Sequence, residues 1–523
     1  MARKILSWSL AVLLIFTLPP FHAAAAEDYS AEDYFVEDYL APSDDFVVEK
    51  FLIEDGVLSR YTGTDSAVTI PNGVKTIGYY AFEGNRDLNS IVIPDGVTTI
   101  ETGAFSHCTA LKNVTLPNSL TSIGSSAFQG CTSLTAAIIP ENVEIIYNGA
   151  FQGCSGMKQF TVDAKNKAYS SKNGVLYYHD SYDNILLYYP AQKTDSSFVI
   201  PNSVLSIGEY AFAENKYLKS VTLGTGVMEI RSYAFADCGL TSISIGKGVN
   251  RIVFASFYNC KRLEKIAVDP NNRLYSSENG VLYHNGINEA RKTTLFAYPA
   301  GKKDAAFTVP NSVRNIEPFA FYGNGYLMAL TIGKNVTAPM AIDACPALVI
   351  YGEAGSEVET GAKERNIPFV AGKAPPSDSL VLKAVPTSST VLVNGKPISF
   401  DAYTINQSSY FKLRDLAYVL SGTSDQFDVA WDAENNAIRL TSNMAYSVTG
   451  GEMAGKGAGI KAPIPNTSKI VLDGLEGLPI SLSSYIIDGN GYFKLRDVAG
   501  LFHFDVEWDG TNNTIVINTG DVE

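Results

Sequence analysis

Apolar residues return along the chain at a fixed spacing. An Ala-Phe pair is preceded by short runs in which aliphatic and polar residues alternate, and the whole pattern repeats with a period of about 23 residues. The pairs stand at Ala81-Phe82, Ala104-Phe105, Ala127-Phe128, Ala150-Phe151, Ala211-Phe212, Ala234-Phe235 and Ala320-Phe321, with the variants Ser256-Phe257 and Ala341-Ile342. Such a repeat predicts a solenoid, because coils that cannot bury an apolar side alone must stack around a shared core.

The order of residue types within one repeat predicts the order of its elements. Val221 and Leu223 alternate with polar residues, which is the pattern of a short strand with one buried side. Gly224 then stops the strand, and the step from Val227 to Ile230 is expected to turn the corner. The Ala-Phe segment is expected to return as a short helical turn, with the Phe filling the interior.

These repeats resemble the leucine-rich repeats of the BspA type, which occur on secreted and surface proteins. The resemblance covers roughly 51–370. We expect a solenoid over 51–371, closed by a capping box at Ser356 and Glu359 and a short helix that ends near Arg365. A Pro-containing linker, 372–379, follows.

Cysteines take one fixed place in the repeat, four residues after the Ala of an Ala-Phe pair or its variant. They are Cys108, Cys131, Cys154, Cys238, Cys260 and Cys345, and the same place holds Asn85, Asn215 and Asn324 in other coils. A place that accepts Cys or Asn predicts a small internal ladder of free thiols. Stacked side chains point the same way, which is a poor geometry for a disulfide. The chain has no Cys-x-x-Cys pair, so a metal site is not expected.

Two insertions interrupt the repeat and resemble each other. YSSKNGVLYYHDSYDNILLYYP ends at Pro190, and YSSENGVLYHNGINEARKTTLFAYP ends at Pro299. Each predicts a β-hairpin with a Tyr-rich strand on either side of a polar turn. The hairpins are interpreted as scaffold, and the alternative is that their aromatic residues are exposed and contact a ligand. The candidate contacts are Tyr177, Tyr178, Tyr188 and Tyr189.

A second internal duplication lies in 380–523, where YFKLRD occurs at Tyr410–Asp415 and again at Tyr492–Asp497. Each copy is flanked by predicted hairpins, and the segment resembles the copper amine oxidase N-terminal-like stalk domain of exported proteins of Gram-positive bacteria. Trp431 and Trp508 stand at matching places in the two copies and are expected to be buried with Leu413 and Leu495. The predicted fold class is a β-rich solenoid with one strand and one helical turn per coil, followed by a small α+β module of two similar lobes.

Enzymatic chemistry is not expected. The catalytic domain that accompanies the stalk domain in copper amine oxidases needs three His ligands and a Tyr preceded by Asn. This chain has no Asn-Tyr dipeptide, and its five histidines are scattered over unrelated elements: His22, His107, His179, His284 and His503. No nucleophile elbow or phosphate loop is present in the sequence. We therefore expect no cofactor, and no copper binding by 380–523.

Export is predicted by the first residues. Arg3 and Lys4 precede an apolar run too short to span a membrane and the small residues Ala23–Ala26, which is the pattern of a signal peptide over 1–26. An acidic leader over 27–50 contains Glu-Asp-Tyr three times. The formal net charge of −14 argues against nucleic acid as a partner. We expect a monomer without a transmembrane segment, secreted or held at the cell surface or wall.

The surface formed by stacked strands is where a solenoid binds its ligands. The outward residues at mid-strand form a small, uncharged ladder, with Thr115, Thr161, Thr222 and Ser244 as the candidate ligand-facing positions. The predicted function is that of an exported, non-enzymatic binding or adhesion protein whose partner is an extracellular protein, a carbohydrate or a cell-wall polymer. The alternative is a structural spacer of the cell envelope.

Overall fold

The computed structural model describes residues 50–286, 292–336, 345, 347–365, 367–406, 408–432, 437–455, 459–466, 468–473, 480 and 482–520. They belong to one compact unit, Lys50–Glu523. The predicted signal peptide, nearly all of the acidic leader, and the Ala341-Ile342 repeat variant lie outside the described residues.

The repeat region is built from short strands. In chain order they are β1 (Phe51–Glu54), β2 (Val57–Tyr61), β3 (Ala67–Thr69), β4 (Thr76–Ile77), β5 (Ser90–Val92), β6 (Thr99–Ile100), β7 (Asn113–Thr115), β8 (Ser122–Ile123), β9 (Ala136–Ile139), β10 (Ile145–Ile146), β11 (Gln159–Val162), β12 (Tyr169–Lys172), β13 (Val175–His179), β14 (Asn184–Tyr188), β15 (Ser197–Val199), β16 (Ser206–Ile207), β17 (Ser220–Thr222), β18 (Glu229–Ile230), β19 (Ser242–Ile245), β20 (Arg251–Ile252), β21 (Lys265–Val268), β22 (Tyr275–Glu278), β23 (Val281–His284), β24 (Thr294–Ala297), β25 (Ala306–Thr308), β26 (Asn315–Ile316), β27 (Ala329–Thr331), β28 (Val349–Gly352) and β29 (Phe369–Ala371).

A regular coil contributes two strands, not one. The first joins a parallel series such as β15-β17-β19-β21, and the second, two residues long, joins a parallel series such as β16-β18-β20. Ile230, which was expected to lie at a corner, is in the second strand, in register with Ile207 and Ile252. Stacking places equivalent residues of successive coils side by side, so their backbone groups pair even over two residues. A β-solenoid of many coils is confirmed.

The helical turn predicted for the Ala-Phe segment is wrong. This segment is a run of hydrogen-bonded turns, in which the amide of Glu83 donates to the carbonyl of Tyr80 at 3.0 Å. The amide of Phe82 instead donates to the carbonyl of Ala104 in the next coil, at 2.8 Å. Tyr80 has a φ of 55°, which ends any right-handed helix. Bonds to the neighbouring coil have replaced the bonds that a helix would make within itself.

The Phe side chains of the Ala-Phe pairs form a stack along the interior. The ring centroids of Phe82 and Phe105 are 4.9 Å apart, and those of Phe128 lie 5.2 Å from both Phe105 and Phe151. These distances are close to the spacing of about 4.8 Å between adjacent strands. The internal place predicted for these residues is confirmed, because all four side chains are buried.

The two hairpins are themselves coils of the solenoid. In the first, β12, β13 and β14 are antiparallel, and β14 then pairs in parallel with β16. Tyr189, directly after β14, takes the place of a stacked Phe, with its ring 5.1 Å from that of Phe212. Tyr298 does the same in the second hairpin, 5.2 Å from Phe321. The scaffold interpretation of the insertions therefore agrees with where the structure places them.

The Cys and Asn ladder has a hydrogen-bonding reason. The thiol of Cys131 donates to the carbonyl of Phe105 in the preceding coil, with sulfur and oxygen 3.1 Å apart. Asn215 follows a hairpin coil, and its amide nitrogen donates to the carbonyls of Pro190 and Lys193, both at 2.9 Å. Asn therefore stands where two carbonyls of the preceding coil must be satisfied. All six cysteines are free, and all but the half-buried Cys345 are buried.

The end of the repeat region is capped nearly as predicted. Helix α1 (Glu357–Glu364) begins after Ser356, whose hydroxyl accepts from the amide of Glu359 at 3.4 Å. The Glu359 carboxylate accepts from the amide of Gly355 at 2.7 Å, one residue before the amide that the capping box implied. Strand β29 then pairs in parallel with β28 and ends the sheet.

The C-terminal region is a separate arrangement of strands and helices. In chain order its elements are β30 (Val385–Pro386), β31 (Thr390–Val393), β32 (Lys396–Pro397), β33 (Ala402–Ile405), β34 (Ser408–Lys412), α2 (Leu413–Leu420), β35 (Phe427–Asp432), β36 (Ala437–Ser442), β37 (Ile464–Pro465), β38 (Lys469–Leu472), β39 (Ser484–Ile487), β40 (Asn490–Lys494), α3 (Leu495–Phe502), β41 (Asp505–Asp509) and β42 (Thr514–Asn518).

The two sequence copies are intertwined. The YFKLRD segments meet at the centre of one sheet, where β34 pairs with β40 in antiparallel fashion. Strand β38 of the second copy extends the β35-β36 hairpin of the first, and β31 of the first extends the β41-β42 hairpin of the second. The rings of Phe427 and Phe502 stack 3.9 Å apart and link the two copies through the core.

The burial predicted for the two tryptophans is wrong. Trp431 is 50% exposed and Trp508 is 52% exposed, whereas Leu413 and Leu495 are buried as expected. Trp431 alternates onto the same side of β35 as the buried Val429, but it stands at the end of the strand, where the core stops. Position in the sheet, and not residue type, decided its exposure.

We predict that Phe128→Ala will lower the free energy of unfolding by about 3–5 kcal/mol, because it leaves a cavity between two stacked rings. The coils on either side of Phe128 would be less strongly coupled, so the unfolding transition should also become less cooperative and therefore broader. The matched control is Phe254→Ala, which removes a partly exposed ring and should cost much less. Denaturant titration measures both, and equal losses would place Phe128 outside the core.

The cysteines should resist thiol reagents in the native protein. Burial raises the pKa of Cys108 and of Cys238 to about 12, so neither forms a thiolate at neutral pH. We expect these thiols to react with a chromogenic disulfide reagent only after unfolding in denaturant. Disulfides between successive coils, detected by mass spectrometry of the unreduced protein, would contradict this prediction.

Candidate functional site

The candidate surface is the outer face of the first sheet series, called the strand ladder here. Its members are the outward residues at equivalent places of successive coils: Thr69, Val92, Thr115, Ile138, Thr161, Val199, Thr222, Ser244, Ala267, Thr308 and Thr331. Thr115, Thr161, Thr222 and Ser244 are all exposed, as the strand pattern predicts. Their role as ligand contacts stays a prediction.

The strand ladder is uncharged and partly aliphatic. Ile138 is 63% exposed and is paired with Thr161, and Val199 is 68% exposed and is paired with Thr222. Isolated exposed aliphatic residues are ordinary on protein surfaces, but here they share one row with hydroxyls at strand spacing. Such a face can offer methyl and hydroxyl contacts to an extended partner that lies across several coils.

Three members of the ladder were missed by the sequence analysis. Thr69, Val199 and Thr308 belong to the first coil and to the two hairpin coils, which the Ala-Phe spacing does not reveal. The sequence does contain a pattern that could have identified them. The strand-and-Pro pattern of the regular coils also occurs in Phe198-Val-Ile-Pro201 and Phe307-Thr-Val-Pro310. These residues add outward positions to the ladder, whose strands form separate sheets that are interrupted at the two hairpins: β3-β5-β7, β9-β11, β15-β17-β19-β21 and β25-β27-β28-β29.

The exposure considered for the hairpin tyrosines is corrected by the structure. Tyr177, Tyr188 and Tyr189 are buried, and burial raises the pKa of Tyr177 to about 12. Tyr188 and Tyr189 point into the core because β14 is a strand of the solenoid and not a free arm. Tyr178 is half-buried, and its hydroxyl donates to Asp180 at 2.9 Å. The first three have no surface to offer a ligand.

The described residues were compared with the requirements of a metal site and of a membrane-spanning helix. Across the described ranges, no group of three or more His, Cys, Asp or Glu side chains is arranged to hold a metal ion. Likewise, none of the helices in those ranges is both long and apolar enough to cross a membrane.

The C-terminal region packs against the turn edge of the solenoid. Tyr403, Tyr410, Tyr485 and Tyr492 are buried in one cluster with Met328 of the repeat region. The amide side chain of Asn406 donates to the carbonyl of Ala347. The linker therefore joins two bodies that share a packed interface.

Charged groups add to this interface. The ammonium of Lys469 donates to the carboxylate of Glu214, close to Asp237. Burial raises the pKa of Asp237, against the attraction of Lys469 and Lys261. Partly buried charges of this kind favour one docked position, because a displaced partner leaves an uncompensated charge.

Comparisons with known proteins bear on the repeat region. The family model for the BspA type leucine-rich repeat region matches residues 60–173 and 189–294, in six copies. The resemblance to these repeats is therefore confirmed for that part of the chain. The matched residues do not reach the C-terminal region, whose resemblance to the copper amine oxidase N-terminal-like domain stays a prediction. No curated protein matches the chain.

Solved structures of bacterial leucine-rich proteins are similar to part of this chain. A leucine-rich cell surface protein of Faecalibacterium prausnitzii A2-165 is 28% identical, over 57% of this chain and 73% of that chain, with a TM-score of 0.36. A leucine-rich repeat protein of Eubacterium ventriosum ATCC 27560 is 22% identical, over 61% and 90%, with a TM-score of 0.44. The pneumococcal vaccine antigen PcpA is 20% identical, over 59% and 80%, with a TM-score of 0.34.

The docked interface can be tested at Gly325. A Cβ atom there would lie 2.5 Å from the Cβ of Pro465, so Gly325→Ala should separate the C-terminal region from the solenoid edge. We expect a larger radius of gyration in solution scattering and faster proteolysis of the linker. The control is Gly333→Ala, whose Cβ would meet only Asn311, at 4.0 Å. An unchanged radius and proteolysis rate in Gly325→Ala would contradict the docked arrangement.

Proposed function

We propose that this protein is an exported, non-enzymatic binding or adhesion protein, and that its solenoid presents the strand ladder to an extracellular protein or carbohydrate. The observation that supports this most is the row of outward Thr, Ser and aliphatic side chains at equivalent places in each sheet of the series, including the four-stranded sheet β15-β17-β19-β21. The ladder positions themselves hold uncharged residues, and Lys265 lies beside them on the same side of β21 as Ala267.

The partner is expected to be extended and to lie across the coils. Each coil offers one ladder side chain, and successive coils are about 4.8 Å apart, so contact over four coils spans about 15 Å. The ladder has no charged anchor, which favours a partner that contributes hydroxyl, amide and apolar groups. Affinity would come from many small contacts instead of one deep pocket.

The C-terminal region is proposed to be a stalk-type module of two similar lobes, as the duplicated YFKLRD segments suggest. The match between its two copies and their strand exchange support an origin by duplication. We further propose that the chain is secreted or retained at the cell surface, works as a monomer and needs no copper. A spacer role in the cell envelope is the competing function.

The ladder hypothesis is tested by Thr222→Glu. A carboxylate at the centre of the ladder would be desolvated when a ligand binds. This desolvation costs free energy, so the dissociation constant should rise at least tenfold. The matched control is Thr225→Glu, the same change at an exposed loop position three residues later in the same coil. The purified protein is screened against matrix proteins and a glycan array, and the dissociation constant is then measured for each hit.

Two results would oppose this proposal. Equal weakening by Thr222→Glu and Thr225→Glu would place the ligand elsewhere. An absence of ligands in both screens, with the protein retained by cells after the solenoid is deleted, would favour the spacer function.

A further inference from the structure

The C-terminal region contains a groove with unused hydrogen-bonding groups, distinct from the strand ladder. It measures about 620 Å³ and lies between the start of α2 and the exposed end of β35. We call it the Trp431 groove, and the lining residues that matter are Lys412, Arg414, Asp415, Trp431, Glu452 and Asn466. Glycines line much of the rest, including Gly450, Gly451 and Gly489, where an added Cβ would meet nothing within 4 Å.

Two buried polar side chains of this groove are incompletely bonded. Oδ1 of Asp415 accepts from the amide of Met453 at 3.0 Å. Its Oδ2 has no hydrogen-bond partner among the described residues, although it forms an ion pair with the ammonium of Lys412 at 4.0 Å. The carbonyl oxygen of Asn466 accepts from the amide of Ser468 at 3.0 Å, while its Nδ2 likewise has no partner within the described part of the chain. Buried groups of this kind are rare and destabilising unless something else satisfies them.

The groove also presents an aromatic surface. Trp431 is half exposed although its strand neighbour Val429 is buried, and Ile438 lies beside it in the pairing of β35 with β36. Gly491 also lines the groove, next to Asn466. A Cβ atom added at Gly491 would lie 3.9 Å from Nδ2 of Asn466, so this nitrogen is close to the groove wall. Trp431, Asp415 and Asn466 therefore line the same groove. Asp415 and Asn466 each bring to it a buried polar atom that has no hydrogen-bond partner among the described residues.

The charged residues that line the groove favour a neutral ligand. Lys412 and Arg414 are matched by Asp415 and Glu452, so the groove has no net charge that would select an anion or a cation. Lys412 is also held by Asp401, with nitrogen and oxygen 2.8 Å apart. A sugar fits this chemistry, because its hydroxyls both donate and accept and its C–H face packs on an aromatic ring.

We propose that the Trp431 groove binds a neutral oligosaccharide, with the sugar ring against Trp431 and its hydroxyls bonded to Oδ2 of Asp415 and Nδ2 of Asn466. This site goes beyond the ladder function and does not depend on it. Cell-wall glycan and free extracellular glycan share this chemistry, so the experiment treats them as separate arms.

The second sequence copy supplies an internal control. A groove of about 860 Å³ surrounds Trp508, with Lys494, Leu495 and Arg496 in the places of Lys412, Leu413 and Arg414. There, however, Asp497 does not line the groove, and its Oδ2 accepts from the amide of Ser483 at 2.8 Å. The Trp508 groove therefore keeps the aromatic ring, but its lining carboxylate is Glu507 and not the Asp of the YFKLRD segment.

The experiment titrates the secreted chain with neutral gluco-, xylo- and N-acetylglucosamine oligosaccharides, and in a second arm with purified cell-wall sacculi. Heparin serves as a polyanionic comparison. Trp431 and Trp508 are the tryptophans that remain after removal of the predicted signal peptide, so their fluorescence reports binding. The variants are Trp431→Ala, Asp415→Asn, Asn466→Ala, Trp508→Ala and Trp508→Phe, each checked by thermal melting, with Trp431→Gln, which also removes the aromatic ring, as the substitute should Trp431→Ala not fold.

Trp431→Ala should abolish binding, and Asp415→Asn and Asn466→Ala should each weaken it at least fivefold. Trp508→Ala should leave the dissociation constant within twofold of the parent value. In the Trp508→Phe protein, the fluorescence change on binding should persist, because it comes from Trp431. The proposal is overturned by no binding in either arm, by equal losses in the Trp431 and Trp508 variants, or by a preference for heparin over every neutral glycan.

Discussion

The spacing between coils is the constraint on which the repeat region depends. Backbone pairing holds successive coils about 4.8 Å apart, and the stacked rings of Phe105, Phe128 and Phe151 repeat at 5.2 Å, almost the same distance. One interval therefore suits both the hydrogen bonds and the aromatic contacts. Any segment that enters the stack must present a ring, a small neighbour and paired backbone groups at that interval.

This constraint explains the features that look irregular in the sequence. The hairpins enter the stack with Tyr189 and Tyr298 in the Phe place, and so keep the core continuous. Asn replaces Cys in the coils that follow a hairpin because Pro190 and Lys193, or Pro299 and Lys302, leave two carbonyls to satisfy. What remains free to vary is the outer face, and that is where the proposed ligand contacts lie.

The C-terminal region follows a different logic, in which two copies complete each other. Each closing hairpin takes its third strand from the other copy, so neither copy has a full sheet alone. The two grooves differ in their lining. Asp415 lines the Trp431 groove and its Oδ2 accepts no hydrogen bond from the described residues, whereas Asp497 lies outside the Trp508 groove and its Oδ2 accepts from the amide of Ser483.

The period, the inward Phe and Cys places, the outward Thr and Ser places and the capping helix could be predicted, because each depends on local residue order and a repeated spacing. Other features depend on tertiary contacts. The second strand at Ile230, the burial of Tyr188 and the exposure of Trp431 depend on which backbone lies alongside. The hydrogen bonding of Asp415 likewise depends on residues far apart in the chain, such as Met453. A local sequence pattern cannot predict hydrogen bonds between distant segments.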